Sequence, residues 1–137
     1  MEARPNIQEY FAQVAKALNG NAIEYTPIMS IVNLKLSNGN RSQNVSGFFK
    51  QKEQDWILML SSKVCLLDHF PNVDFKDLAL RNNKMWEAKA VIHHDHLEVS
   101  AACRFKSSDF DYICNLIMDI ATIADELEFK ITGKDEH

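Results

Sequence analysis

Between Ser108 and Ile131 the chain carries apolar residues at a spacing that only a long helix gathers onto one side. Phe110, Ile113, Ile117, Ile120, Ala124, Leu127 and Ile131 step by three and four, and Tyr112, Leu116 and Ile123 form a second stripe beside them. At 3.6 residues per turn the combined apolar arc is roughly 200°, about twice the ~100° that core packing requires. The first stripe is wide enough to cover one face of a sheet. The second is surplus, and two outcomes are open for it. It meets another protein, most simply a second copy of the chain, or the N-terminal helix covers it within the monomer. The expectation is an interface at Tyr112, Leu116 and Ile123. Ser108 with Asp111 is a capping-box variant, and Asp109 and Asp111 suit the first turn of the helix dipole. Gly133 ends the helix, and residues 133–137 read as a solvated, flexible tail.

The sheet that such a helix needs is visible upstream. Val32, Leu34 and Leu36 alternate with Asn33 and Lys35, which predicts a strand over Ser30–Ser37. Asn38-Gly39 is a strong hairpin signal, and a return strand follows over Ser42–Gln51, with Gly47 marking a bulge. Trp56–Leu60 is a short third strand, apolar on both faces. Val64–Phe70 reads as a buried turn or short helix. Asp74–Arg81 reads as a short helix with Phe75, Leu78 and Ala79 inward. A second hairpin runs from Trp86 to His93 and from Leu97 to Phe105, turning at His94-Asp95. At the N-terminus, Ile7, Tyr10, Phe11, Val14 and Leu18 make one helical stripe, begun after Pro5 and stopped by Asn19-Gly20. The expected fold is a single α+β domain over residues 1–137. It has an antiparallel sheet of about five strands in the order α-β-β-β-α-β-β-α, with helices packed on one face.

Composition narrows the function classes. Four glycines and three prolines in 137 residues are well below the ~12% that is usual, which leaves no Gly-rich phosphate loop. Fifteen Lys+Arg against nineteen Asp+Glu give −4, and the pI near 5.7 lacks the basic footprint of a nucleic-acid binder. Cys65, Cys103 and Cys114 are odd in number and none is spaced C-x-x-C, so no disulfide framework is expected and a reducing, cytoplasmic setting is. No apolar stretch follows Met1–Pro5 in the manner of a signal peptide, and none approaches the ~20 residues of a membrane span.

Residues that carry chemistry are sparse. His93-His94-Asp95-His96 is the one dense cluster of metal-ligand types, but on a strand His93 and His94 point to opposite faces. Its plainer reading is a polar hairpin turn, with His93, His94 and His96 weak candidates for zinc or nickel. The carboxylate pairs Asp109/Asp111, Asp125/Glu126 and Asp135/Glu136 suit capping and solubility rather than split-pKa acid–base work. Cys65 and His69, four apart, would meet on a helix. Trp56 and Trp86 begin strands and read as core. Asn82-Asn83 reads as a turn. No nucleophile elbow or phosphate-binding motif is present. The expectation is no enzyme and no cofactor.

The stretch Leu78-Ala79-Leu80-Arg81-Asn82-Asn83, the strand Ala88–His93, Leu97-Glu98-Val99-Ser100-Ala101 and the helix ending Ile123-Ala124-Asp125-Glu126-Leu127-Glu128 resemble the YbjN-type bacterial regulators. The chain is also similar to the class I type III secretion chaperones that share their fold. The likeness covers residues 55–130; the first half matches in element order, and the His-rich turn stands where relatives often have Asp-Gly. It implies a secretion-chaperone-like fold, a bacterial origin, a homodimer, and action by binding other proteins. The resulting expectation is a non-enzymatic protein-binding module, a chaperone-like or regulatory adaptor. The alternative is a small-molecule or divalent-metal-binding protein using the His93–His96 turn.

Overall fold

Local chemistry, read residue by residue, sets where most of the elements begin and end. The computed structural model describes residues 2–36 and 40–133. The predicted turn at Asn38-Gly39 and the tail beyond Gly133 lie outside them. Helix α1 spans Ile7–Leu18; Asn6 caps it by accepting from the Glu9 amide, and Asn19, at φ 56°, takes the left-handed C-cap expected of Gly20. Strands β1 (Asn21–Thr26), β2 (Met29–Lys35), β3 (Ser42–Lys52) and β4 (Asp55–Leu66) follow. Then come a 3-10 turn at Leu67–His69, helix α2 (Phe75–Asn82), strands β5 (Lys89–His93) and β6 (His96–Arg104), and helix α3 (Phe110–Thr132). The fold is α+β, as expected, but the antiparallel sheet has six strands, in the order β1-β2-β3-β4-β6-β5. No helix among the described residues is long and apolar enough to cross a membrane.

The additional strand is β1. All six of its residues are exposed, so it lacks the apolar alternation that reveals a half-buried strand. Strand β4 is also longer than its sequence suggested. Val64 and Cys65 are both buried beside a bulge between Lys63 and Cys65, and two adjacent buried residues hide the period of two. The third difference is α2, where Leu78 is buried while Phe75 and Ala79 are exposed.

The core lies on one face of the sheet. Val32, Leu34, Val45, Phe49, Leu58, Leu60, Leu97 and Val99 are buried there. They alternate with residues on the other face, as the strand period requires. Helices α1 and α3 cover them, and the core also takes in Phe11, Val14, Ile113, Ile117 and Ile120. An edge-to-face cluster of Tyr10 with Phe105 and Phe110, and of Phe49 with Phe105, closes one end. Burial pushes the Tyr10 phenol well above its ordinary range. At the other end Arg41 pairs with the buried Asp125 at 2.9 Å and lies over the Phe129 ring. That pair ties the β2–β3 end of the sheet to α3.

Gly47 has a role that the sequence reading assigned to a bulge. The β2–β3 register runs unbroken through it. A Cβ at this position would sit 2.4 Å from the Phe11 ring, so the glycine is the seat of the α1 aromatic. Gly47→Ala should therefore lower the unfolding free energy by about 1–3 kcal/mol, the usual cost of overpacking. In urea denaturation, Phe11→Leu in the same chain should cost less than it does alone; strictly additive losses would contradict the contact.

Candidate functional site

Among the described residues no helix covers the opposite face of the sheet, and its residues form ordered rows. Met29, Phe48, Met59 and Ala102 are successive cross-strand neighbours. In the next row stand Ile23, Ile31, Ser46, Ser61 and Ser100. Side chains directly opposite lie close enough to make a continuous surface. The Ser46 and Ser61 hydroxyls are 3.0 Å apart, and Asn33 donates to Asn44 at 2.8 Å. The apolar members Met29, Ile31, Phe48, Met59 and Val91 are half-buried, and Ile23 and Tyr25 stand exposed on β1. Two shallow hollows flank the Phe48–Met59 row. One, of about 350 Å³, is lined by Tyr25, Met29, Ile31 and Lys63. The other, of about 220 Å³, is lined by Phe48, Met59, Val91 and Glu98. Paired hollows on an open face suit the side chains of a polypeptide better than one enclosed small molecule.

The sheet edges differ. Asn82, at the end of α2, uses its side-chain amide as a strand would: it donates to the Ala90 carbonyl at 3.0 Å and accepts from the Ala90 amide at 2.8 Å. The Lys89 ammonium donates to the Asn82 carbonyl at 2.6 Å and also to the Met85 carbonyl, where the C-terminal end of a helix favours a cation. The β5 edge is thereby occupied at Ala90, the second of its five residues. Asn82 ends α2, and Asn83 stands in the expected turn, with ordinary right-handed backbone.

The residues expected to mediate self-association lie on one side of α3 with different exposures. Leu116 is buried, at 3% exposure, whereas Tyr112 is 39% exposed and Ile123 is half-buried. The segment Lys84–Ala88 lies against this stripe, across a groove that Leu116 and Ile123 line. The chain's own approach to β5, rather than α1, thus borders the surplus stripe. Tyr112 donates to the Glu87 carboxylate at 2.7 Å. Trp86, read from sequence as core, is 92% exposed beside this groove. Trp56 is half-buried, with Arg4 over its ring and its indole N–H donating to the Glu2 carbonyl.

The other candidates are dispersed. His93 and His96 face each other across the β5–β6 hairpin, His94 sits at φ 55° in the turn, and the His93 and His94 rings are 4.3 Å apart. His93 also reaches the buried Glu98 at 3.5 Å. Among the described residues no three His, Cys, Asp or Glu side chains converge as a metal-binding group. Cys65 is buried at the end of β4 and His69 is exposed in the 3-10 turn, so they share no helix. Burial raises the Cys103 and Cys114 thiols. Asp109 caps α3 by accepting from the Tyr112 amide at 2.8 Å. A further hollow between α2 and α3 holds Asp77, but Lys130 and Arg81 take that carboxylate at 3.0 and 3.2 Å and hold it below the usual range. No protein-family model matches the chain, and no curated protein matches it.

Tyr112 offers a direct check of the groove. Its hydrogen bond to Glu87, then burial and the Glu87 charge, push the phenol up to about 12 from 10. A raised folded-state value means that this contact stabilises the fold below pH ~10 and is lost as pH climbs from there towards ~12. In an absorbance titration, Glu87→Gln should bring the Tyr112 transition down, with Tyr112→Phe identifying which transition it is. An unmoved transition would show that the bond is absent in solution.

Proposed function

We propose that this chain is a non-enzymatic protein-binding module, a chaperone-like or regulatory adaptor, that works through the uncovered face of its sheet. One observation carries the reading. The solvated face of an antiparallel sheet ordinarily alternates to polar residues, yet here it holds Met29, Phe48 and Met59 in one row and Ile23 and Ile31 in the next. A contiguous apolar patch rimmed by polar groups is what a protein–protein contact leaves on an unbound surface. The resemblance to YbjN-type regulators and class I type III secretion chaperones belongs to the same proposal, since those proteins act by binding other proteins.

The test is selection from a random peptide display library on the immobilised full chain. Enriched peptides should lose at least about tenfold in affinity, roughly 1.4 kcal/mol, on a chain carrying Phe48→Ser with Met59→Ser. Circular dichroism confirms that the variant folds. No enrichment, or hits indifferent to the double substitution, overturns the reading.

Self-association is part of the proposal and rests on Trp86. A tryptophan 92% exposed beside Leu116 and Ile123 is the kind of residue that anchors interfaces. Light scattering at two concentrations should give a dimer for the natural chain and a monomer for Trp86→Ser. A monomer in both removes the homodimer.

A further inference from the structure

The charge on the uncovered face opposes that of the molecule. Strand alternation puts Lys35, Lys50, Lys52, Lys63, Lys89 and Arg104 on this face, against Asp55 and Glu98 among the described strand residues. The whole chain carries −4, so the rest of its surface is more acidic still. Two of these cations are engaged: Arg104 with Asp55, and Lys89 with the end of α2. Lys35, Lys50, Lys52 and Lys63 are exposed, and no ion pair joins any of them to a described carboxylate.

Their arrangement along the strands matters more than their number. Lys50 and Lys52 lie at the β3–β4 turn end of the face, where Lys50 opposes Ile57 and Lys52 opposes Asp55. Lys63 and Lys35 lie towards the other end, Lys63 opposite Glu98. Between them stand the Phe48–Met59 row and the Ser46–Ser61 row. From the Lys50 row to the Lys63 row is six residues of strand, roughly 20 Å at ~3.3 Å per residue. The face is an apolar centre with a cation group at each end.

We propose that its occupant is an acidic polypeptide segment: an apolar centre lying on Met29, Phe48 and Met59, with carboxylates on both flanks reaching Lys50 and Lys52 at one end and Lys63 and Lys35 at the other. This rests on the reading of the face as a protein-binding surface and adds the partner's chemistry. Charge complementarity of this kind sets specificity and orientation more than raw affinity. A polynucleotide fits less well. It requires a continuous track of cations and several stacking rings, whereas here the cations are split by an apolar strip that presents Phe48 alone among the central rows.

The experiment uses fluorescent peptides of about ten residues, long enough to cross ~20 Å in extended form. One apolar core is flanked by Glu, by Gln or by Lys, and an oligothymidine serves as the competing chemistry. Binding to the full chain is followed by polarisation in low and in physiological salt. The Glu-flanked peptide should bind at least about tenfold more tightly than the Gln-flanked one. The difference should shrink as salt screens exposed charges beyond the ~8 Å Debye length. Lys50→Glu with Lys63→Glu, both at exposed positions, should reverse the order in favour of the Lys-flanked peptide. Equal binding of all three peptides that is lost with Phe48→Ser and Met59→Ser overturns the acidic partner and leaves the module reading standing. No binding of any peptide overturns both. Oligothymidine bound more tightly than the Glu-flanked peptide overturns the proposal in favour of nucleic acid.

Discussion

The fit of α3 onto one face of the sheet is the constraint from which the other features follow. Its buried residues, from Ile113 through Ile117 and Ile120 to Leu127, need a broad apolar counterpart, and β3, β4 and β6 supply it. Helix α1 then occupies the remaining part of the same face, with Phe11 seated over Gly47. Once two helices share that face, only α2 is left. It is short and packs at the β5 edge, where its last residue pairs with Ala90. A two-layer arrangement buries one sheet face fully and has no third layer for the other. The uncovered rows of Met29, Phe48 and Met59 are thus a direct product of how the chain spends its helices.

A group of buried polar residues lies at the Arg41 end of this packing. Gln43 donates to the Ser62 hydroxyl at 3.0 Å and to the Lys63 carbonyl at 2.9 Å, and Arg41 meets Asp125 nearby. A buried pair of this kind adds little net stability against an apolar replacement, yet is costly to leave half-made. Its effect is to penalise any sliding of α3 along the sheet that would separate Asp125 from Arg41.

How much of this was legible in the sequence depends on whether one neighbour was enough to decide each residue's place. Helix α1, helix α3 and the two hairpins each carry their own period, so Val32, Leu34, Leu97 and Val99 announced a buried face without knowledge of what covers it. Strand β1 carried no such period, because water lies on both of its sides. Val64 and Cys65 were illegible for the opposite reason, since the bulge turns both inward. Trp86 was misread because size and hydrophobicity predict burial only where something is there to bury the ring. The uncovered face needed the whole topology. Lys50, Lys63 and Arg104 belong to three strands, and the β4–β6 pairing that gathers them skips β5 in sequence. The surplus stripe of α3 lay between these cases: its existence could be counted from Tyr112, Leu116 and Ile123, but the segment Lys84–Ala88 that lies against it has no period of its own.

The two edges of the sheet are not equivalent, and this bears on how large an assembly the sheet itself can build. Asn82 fills the hydrogen-bonding positions of Ala90 on β5, while β1 has β2 on one side only. Unpaired edges are where sheets of different molecules join. A molecule with two open edges polymerises without limit, each addition exposing a fresh edge. A molecule with one edge plugged can join through the other alone, and in this chain the plug covers the Ala90 position of β5. The asparagine that closes α2 therefore sets a cost on joining at this edge: a strand arriving at β5 must first displace a side-chain amide from Ala90.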